Sequence, residues 1–158
     1  MFARAVITFC LLSTSAFAAD DKPYLNSRFG YSIDVPSEFK VVSVADNNDG
    51  MSLESPDGSA TLLVWGNNIM ERDFKAESDS RRKSYVEEGW LISYEKHARA
   101  WASYSGSRRD RIVYVREIAL CDRAMGNFSL EYPKVDQKRY GSLVEKLVKS
   151  LAALQRCE

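Results

Sequence analysis

Phe128-Ser129-Leu130-Glu131-Tyr132-Pro133, together with the patterned run from Tyr140 to Leu154 that follows, decides how this chain folds. Phe128, Leu130 and Tyr132 alternate with Ser129 and Glu131, the two-residue period of a strand with one buried face. Pro133 has no amide hydrogen to give a ladder, and its fixed φ suits the first turn of a helix. Beyond it Tyr140, Leu143, Leu147, Leu151 and Leu154 recur at three- and four-residue steps, with Val144 and Val148 widening the stripe. That spacing predicts a helix with one apolar face. Lys138, Glu145, Lys146 and Lys149 fall on its other face. Burying one leucine of such a stripe contributes about 1.5–3 kcal/mol, so the stripe is expected to anchor the helix on a sheet. Gly141 costs about 1 kcal/mol relative to Ala inside a helix and is expected to mark close approach to a strand.

Upstream, the chain reads as hairpins. Tyr31, Ile33 and Val35 alternate with Ser32 and Asp34 before Pro36 stops the strand. A short strand over 40–45, the polar turn 46–50, a strand over 51–55, the turn Pro56-Asp57-Gly58 and a strand over 60–65 follow. Residues 46–50 do not form a calcium loop: Gly50 falls where a fifth-position ligand is needed, and no glutamate stands at the twelfth. Over 69–88 the spacing becomes helical, with Phe74, Ser78, Arg81 and Tyr85 on one stripe and Gly89 placed to cap the end. Only Phe74 and Tyr85 there are large and apolar. This helix is therefore expected to lie shallowly, with Arg81, Arg82 and Lys83 largely solvated. Strands are predicted over 90–97, 98–105 and 111–121, with 106–110 as the turn before the last. The fold class is α+β: an antiparallel sheet flanked by helices.

Residues 1–18 carry Arg4, an apolar run over 5–12 and small residues at Ser13, Ser15, Ala16 and Ala18, the pattern of a cleavable signal peptide too short to span a bilayer. Cleavage is expected near Ala18, into the periplasm or beyond, leaving no transmembrane segment in the mature chain. Cys10 follows Phe9, not the small residue a lipid-anchor signal needs. Residues 19–26 are expected to be a loosely held new N-terminus and 27–158 a single monomeric domain. Arg4 is the only charge lost, so 22 basic residues become 21 against 22 acidic ones. That near-neutral balance argues against a dedicated nucleic-acid binder, which needs excess Lys and Arg. Cys121 and Cys157 are then the two cysteines left, and in an oxidising compartment they are expected to pair, pinning helix to sheet.

Two stretches carry a resemblance. Arg28-Phe29-Gly30-Tyr31-Ser32-Ile33-Asp34-Val35-Pro36 resembles the opening hairpin, and residues 128–133 with the helix ending Ser150-Leu151 resemble the closing strand and helix, of the PsbP-like superfamily, which includes the small periplasmic DcrB-like proteins of bacteria. The resemblance implies an α/β/α sandwich around a central antiparallel sheet. It also implies a protein that binds other proteins without catalysis, since the best understood members are an extrinsic photosystem subunit and a nuclear import factor. The matching stretches are structural, so no binding residue transfers.

No catalytic residue is assigned. His97 is the only histidine, and residues 103–107 lack the flanking glycines of a nucleophile elbow. No HExxH, phosphate-cradling glycine loop or CxxC is present. Glu87 and Glu88 are adjacent on a helix and point apart. No cofactor or metal is expected. The candidate partner-binding residues are two basic clusters, Arg81-Arg82-Lys83 and Arg108, Arg109 and Arg111. Merged in space and joined by Trp65, Trp90, Trp101 or Tyr104, they would make a positive patch for an acidic protein or another anionic surface. Apart, they are a solvated face and a loop tip. The expected function is that of an exported protein-binding domain, an accessory subunit of an envelope complex. An immunity or inhibitor protein against a secreted effector, and a hydrolase with a non-standard carboxylate site, are the competing readings.

Overall fold

The computed structural model of the chain describes residues 21–157, and the predicted signal peptide lies outside them. In chain order the elements are β1 (Lys22–Asn26), β2 (Tyr31–Val35), β3 (Lys40–Val44), β4 (Gly50–Glu54), β5 (Thr61–Asn68), α1 (Phe74–Glu87), β6 (Leu91–Ala98), β7 (Trp101–Arg108), β8 (Arg111–Ala119), β9 (Ala124–Pro133), α2 (Gln137–Ser150) and β10 (Ala152–Ala153). Seven strands form one antiparallel sheet in the order β3-β4-β5-β9-β8-β7-β6, and a small sheet runs β1-β2-β10. The long loop holding α1 lets β9 slot in beside β5, with Leu62 across from Leu130 and Val64 across from Phe128.

Period-2 alternation assigns the two faces of the large sheet. Leu62, Val64, Phe128, Leu130 and Ile112 meet Tyr31, Ile33 and Val35 of β2 and the α2 stripe Tyr140, Val144 and Leu147. On the opposite face Val113, Val115, Tyr104 and Trp90 meet Tyr85 of α1, and Phe74 packs with Ala102 and Met125. The α/β/α layering follows. Close approach of β2 to the sheet requires glycine beneath it: a Cβ on Gly126 would lie 3.0 Å from Tyr31, and one on Gly66 would collide with the Phe29 ring.

Both helices have identifiable ends. Asp73, with φ −154°, caps α1 by accepting from the Ala76 amide at 2.9 Å, which is why the helix starts at Phe74 and not at Ile69. At its other end the Trp90 amide donates to Tyr85 O and the Gly89 amide to Val86 O, both at 3.0 Å, with Gly89 at φ +92°. This double bond pattern is the glycine cap foreseen from the spacing. α2 begins after Pro133 closes β9 and a 3-10 turn, Lys134–Asp136, turns the chain.

Several expectations are corrected. Residues 22–26 are not loosely held: β1 pairs with β2 from Lys22 opposite Val35 to Asn26 opposite Tyr31. β7 runs on to Arg108, so the turn before β8 is only Arg109-Asp110, with Arg109 at φ +55°. Gly141 does not touch a strand, since a Cβ there would meet nothing within 4 Å. Leu154 lies outside α2, which ends at Ser150, and stays exposed.

The Cys121–Cys157 disulfide forms, with Cα atoms 5.3 Å apart. It ties the tail after β10, not α2 itself, to the turn between β8 and β9. Closing a 36-residue separation restricts the unfolded chain and stabilises the fold by about 4 kcal/mol. Cys121→Ser is expected to lower the unfolding free energy by about 2–5 kcal/mol, measured by urea denaturation, and reductant is then without further effect on the variant. Equal midpoints for oxidised wild type and variant would contradict this.

Candidate functional site

α1 lies across one face of the sheet without covering it, and the gap between helix and strands is a cleft of about 620 Å³. Leu63 and Trp65 of β5, Arg81 and Tyr85 of α1, Trp90 and Arg108 line it. Each element presents these residues for a local reason. Leu63 and Trp65 occupy the alternate positions of β5 whose neighbours Leu62 and Val64 fill the core. Arg81 and Tyr85 fall one turn apart on the α1 stripe. Trp90 is set down by the glycine cap that ends the helix.

The two basic clusters are divided by this arrangement. Arg81 and Arg108 enter the cleft, each stacked over an indole: Arg81 at 5.4 Å from the Trp65 ring centre and Arg108 at 4.5 Å from that of Trp90. Arg108 also donates to the Glu88 carbonyl at 3.2 Å. Arg111 reaches the rim by pairing with Glu131 at 2.9 Å and donating to Ser59 O at 2.7 Å. Arg82 pairs with Glu95 at 3.3 Å and Lys83 with Glu87 at 3.6 Å, away from the cleft. Arg109 stands exposed at the hairpin tip. Arg81 is not solvated as its neighbours in sequence suggest, for its side chain is only 23% exposed. Carboxylates Glu77, Glu88 and Glu131 also line the cleft beside Arg81 and Arg108, so its lining mixes both signs and is not a positive patch.

Beneath Arg81 lies a polar network that sequence reasoning missed. Arg81 Nη2 donates to Asn67 Oδ1 at 3.0 Å, which also accepts from Asn127 Nδ2 at 2.8 Å. Glu77 accepts from the Met70 and Glu71 amides at 2.9 and 3.0 Å, holding the approach to α1. Glu117, fully buried, has Oε1 3.0 Å from Arg81 Nε, but the contact is misaligned for a hydrogen bond and neither carboxylate oxygen has a hydrogen-bond partner. The signal was available in β8: Val113, Val115 and Glu117 share one face, so alternation puts a carboxylate where the pattern demands a buried apolar side chain.

Burial raises the Glu117 carboxyl from an ordinary 4.5 to about 7, against the lowering pull of Ser78, Arg81 and Tyr104. Such a value suits acid/base work, yet with no exposed atom Glu117 is out of reach of a substrate and acts in packing. Among the described residues no three His, Cys, Asp or Glu side chains converge to hold a metal ion. His97 is exposed on β6.

A pH dependence follows. The folded chain keeps the Glu117 proton between pH 4.5 and about 7, where the unfolded chain releases it. The stability it contributes is full below the lower value and lost as pH rises through the upper one. Glu117→Gln stays neutral and is expected to gain about 3 kcal/mol relative to wild type between pH 5 and pH 8, read from urea midpoints at the two pH values. Parallel pH profiles for the two proteins would refute the assignment.

The sequence matches no protein-family model and no curated protein. Solved structures do match. Cyanobacterial PsbP (CyanoP) from Synechocystis sp. PCC 6803 superposes with a TM-score of 0.66 at 12% identity, covering 93% of this chain and 98% of that one. The Saccharomyces cerevisiae Ran-binding protein Mog1p superposes with a TM-score of 0.61 at 11% identity, covering 87% and 97%. A Mog1 mutant gives 0.59 at 10% identity, covering 86% and 97%. At such identities the likeness concerns architecture, and nearly the whole of each neighbour is matched. With its antiparallel sheet layered between helices, the chain has the PsbP-like fold.

Proposed function

We propose that this chain is an exported, monomeric, non-enzymatic domain that binds a protein partner in the cell envelope, as an accessory subunit of a larger complex. One observation carries the reading: two guanidinium–indole pairs, Arg81 with Trp65 and Arg108 with Trp90, face one open cleft. Arginine and tryptophan dominate the energetics of protein interfaces. Stacking on a ring and bonding to a carbonyl already fixes Arg108, so less side-chain entropy is lost on association. The exposed Leu63 adds apolar contact area at the cleft floor. One fold neighbour is titled a Ran-binding protein, which supports partner binding by this architecture. Export is supported by the signal-like residues 1–18 and by the disulfide, which oxidising compartments preserve.

The partner is sought with a photo-crosslinking amino acid placed in the full chain expressed in its own cells. At Leu63, in the cleft and 40% exposed, a discrete adduct is expected in the envelope fraction. At Val135, 91% exposed on the 3-10 turn, none is expected. Arg108→Ala, which leaves the Glu117 network untouched, reduces the Leu63 adduct about tenfold, as removal of a hot-spot residue does. Adduct formation only at Val135, at neither position, or undiminished by Arg108→Ala would overturn the proposal.

A further inference from the structure

The large sheet ends in two strands with a neighbour on one side only, β3 and β6, and the small sheet in β1 and β10. An edge strand shows a row of unpaired amides and carbonyls, a template for another chain unless something guards it. Three of these edges are guarded. β1 has Lys22 and Pro23, β10 is two residues long, and β6 carries Glu95, Lys96 and His97 in succession with a bulge between Ile92 and Tyr94. β3 reads Lys40-Val41-Val42-Ser43-Val44 and is exposed throughout, Val41 and Val42 to 53% each and Val44 to 58%. Its one charge stands at the start. Its own bulge, at Val42, leaves Ser43 and Val44 in regular register with Ser52 and Met51.

The free side of β3 offers usable main chain. The Ala45 amide donates to Gly50 O at 2.9 Å, so Ala45 faces β4, and the alternation of an antiparallel ladder turns the amide and carbonyl of Val44 outward. The strand also continues the cleft. Ser43, Ser52 and Leu63 stand opposite one another in register across β3, β4 and β5. Leu63 and Trp65 line both the α1 cleft and a groove of about 280 Å³ that reaches Ser43 and Val44. Charge marks the two ends of the apolar stretch. Lys40 before it and Asp46 after it are exposed, and neither joins an ion pair among the described residues, although Glu54 is opposite Lys40 in register.

We infer that β3 accepts an extended segment of a protein partner by strand addition, with apolar side chains of the segment against the valines, an acid beside Lys40 and a base beside Asp46. In such pairing main-chain bonds give affinity and alternate side chains give selectivity. The inference rests on the reading of the cleft as a partner site for the partner's identity, since one protein occupies both. A second copy of the chain also meets the charge rule, because antiparallel pairing of β3 with β3 about Ser43 sets Lys40 beside Asp46. Its contact, however, is one short edge, whereas a stable interface buries about 800 Å² per partner. A partner seated in the cleft gains the edge as an extension of a contact it already makes.

A photo-crosslinking amino acid at Val42 of the full chain, expressed in its own cells, tests this. An adduct of the same mass as that at Leu63 is expected, and at Tyr94 on the far edge none. Val44→Pro removes the outward amide at a place where an edge strand tolerates proline, and is expected to reduce the Val42 adduct about tenfold. Val44→Thr keeps the amide and leaves the adduct unchanged. No adduct at Val42, an equal one at Tyr94, a mass of two copies of this chain, a mass different from the Leu63 adduct, or a yield undiminished by Val44→Pro would overturn the inference. Should Val44→Pro lower the melting temperature, Val41→Lys decides, because it adds an edge charge opposite Leu53, on the face away from the cleft: an unchanged Val42 adduct in that variant overturns it as well. A Leu63 adduct without a Val42 adduct removes strand addition and leaves the cleft reading standing. A Val42 adduct without a Leu63 adduct overturns the cleft reading and leaves strand addition standing.

Discussion

Seven strands spaced about 4.8 Å apart make a sheet roughly 30 Å wide, whereas one helix with its side chains is about 10–12 Å across. That mismatch governs the molecule. Neither α1 nor α2 can cover a whole face, so each covers part and leaves part open. On one face α2 and the small β1-β2-β10 sheet close over β4, β5, β9 and β8, where Leu62, Phe128 and Leu130 are wholly buried. On the other, α1 lies toward β7 and β8, over Val113, Val115 and Tyr104. The uncovered parts fall at diagonally opposite corners, one beside β5 and one beside β6 and β7. Each becomes a groove because a helix forms its second wall.

Covering only part of a face also explains why α1 is held by polar groups. A helix with Phe74 and Ser78 as its buried residues gains little from apolar burial and is fixed by its two caps and by pairing. Arg81 to Asn67, Arg82 to Glu95 and Glu77 to the Met70 and Glu71 amides together tie it to β5, β6 and its own approach loop. Glu117 is the cost of this design. A buried carboxylate with no aligned hydrogen bond destabilises unless it is protonated or compensated, and Arg81 supplies the compensation only from the side.

What was legible in the sequence was whatever obeys a simple period. The α2 stripe, the alternation in β2, β5 and the second half of β9, the polar turns and the cysteine pair all follow from apolar spacing and compartment chemistry. The first half of β9 was not legible: in Ala124-Met125-Gly126-Asn127 the strand must leave room for Tyr31 at Gly126 and feed Asn127 to the polar network, so no apolar alternation survives. β1 was hidden for a related reason, since Lys22, Pro23 and Tyr24 sit on an edge where burial imposes no pattern. The candidate site was half legible. Spacing puts Arg81 on the inner stripe of α1, but a run of three basic residues reads as solvated until Asn67 and Glu117, supplied by distant strands, are seen beneath it.

The three tryptophans of the chain show a common device. Trp65, Trp90 and Trp101 each carry an arginine over the ring, Arg81, Arg108 and Arg116 respectively, and the first two pairs line the α1 cleft. An indole alone at such a place is a sticky patch exposed to any apolar surface. A guanidinium laid over it shields the ring face, gains about 0.5–1 kcal/mol from the ring quadrupole and presents a planar fork of donors outward. The fork selects a carboxylate or carbonyl where bare indole selects only hydrophobicity. Glu77, Glu88 and Glu131 stand beside the two guanidinium–indole pairs of the α1 cleft, which suits a mixed protein surface. In that cleft the donors of the fork and the acids beside them together set what is accepted, so charge pattern adds to the shape that the partly covered sheet provides.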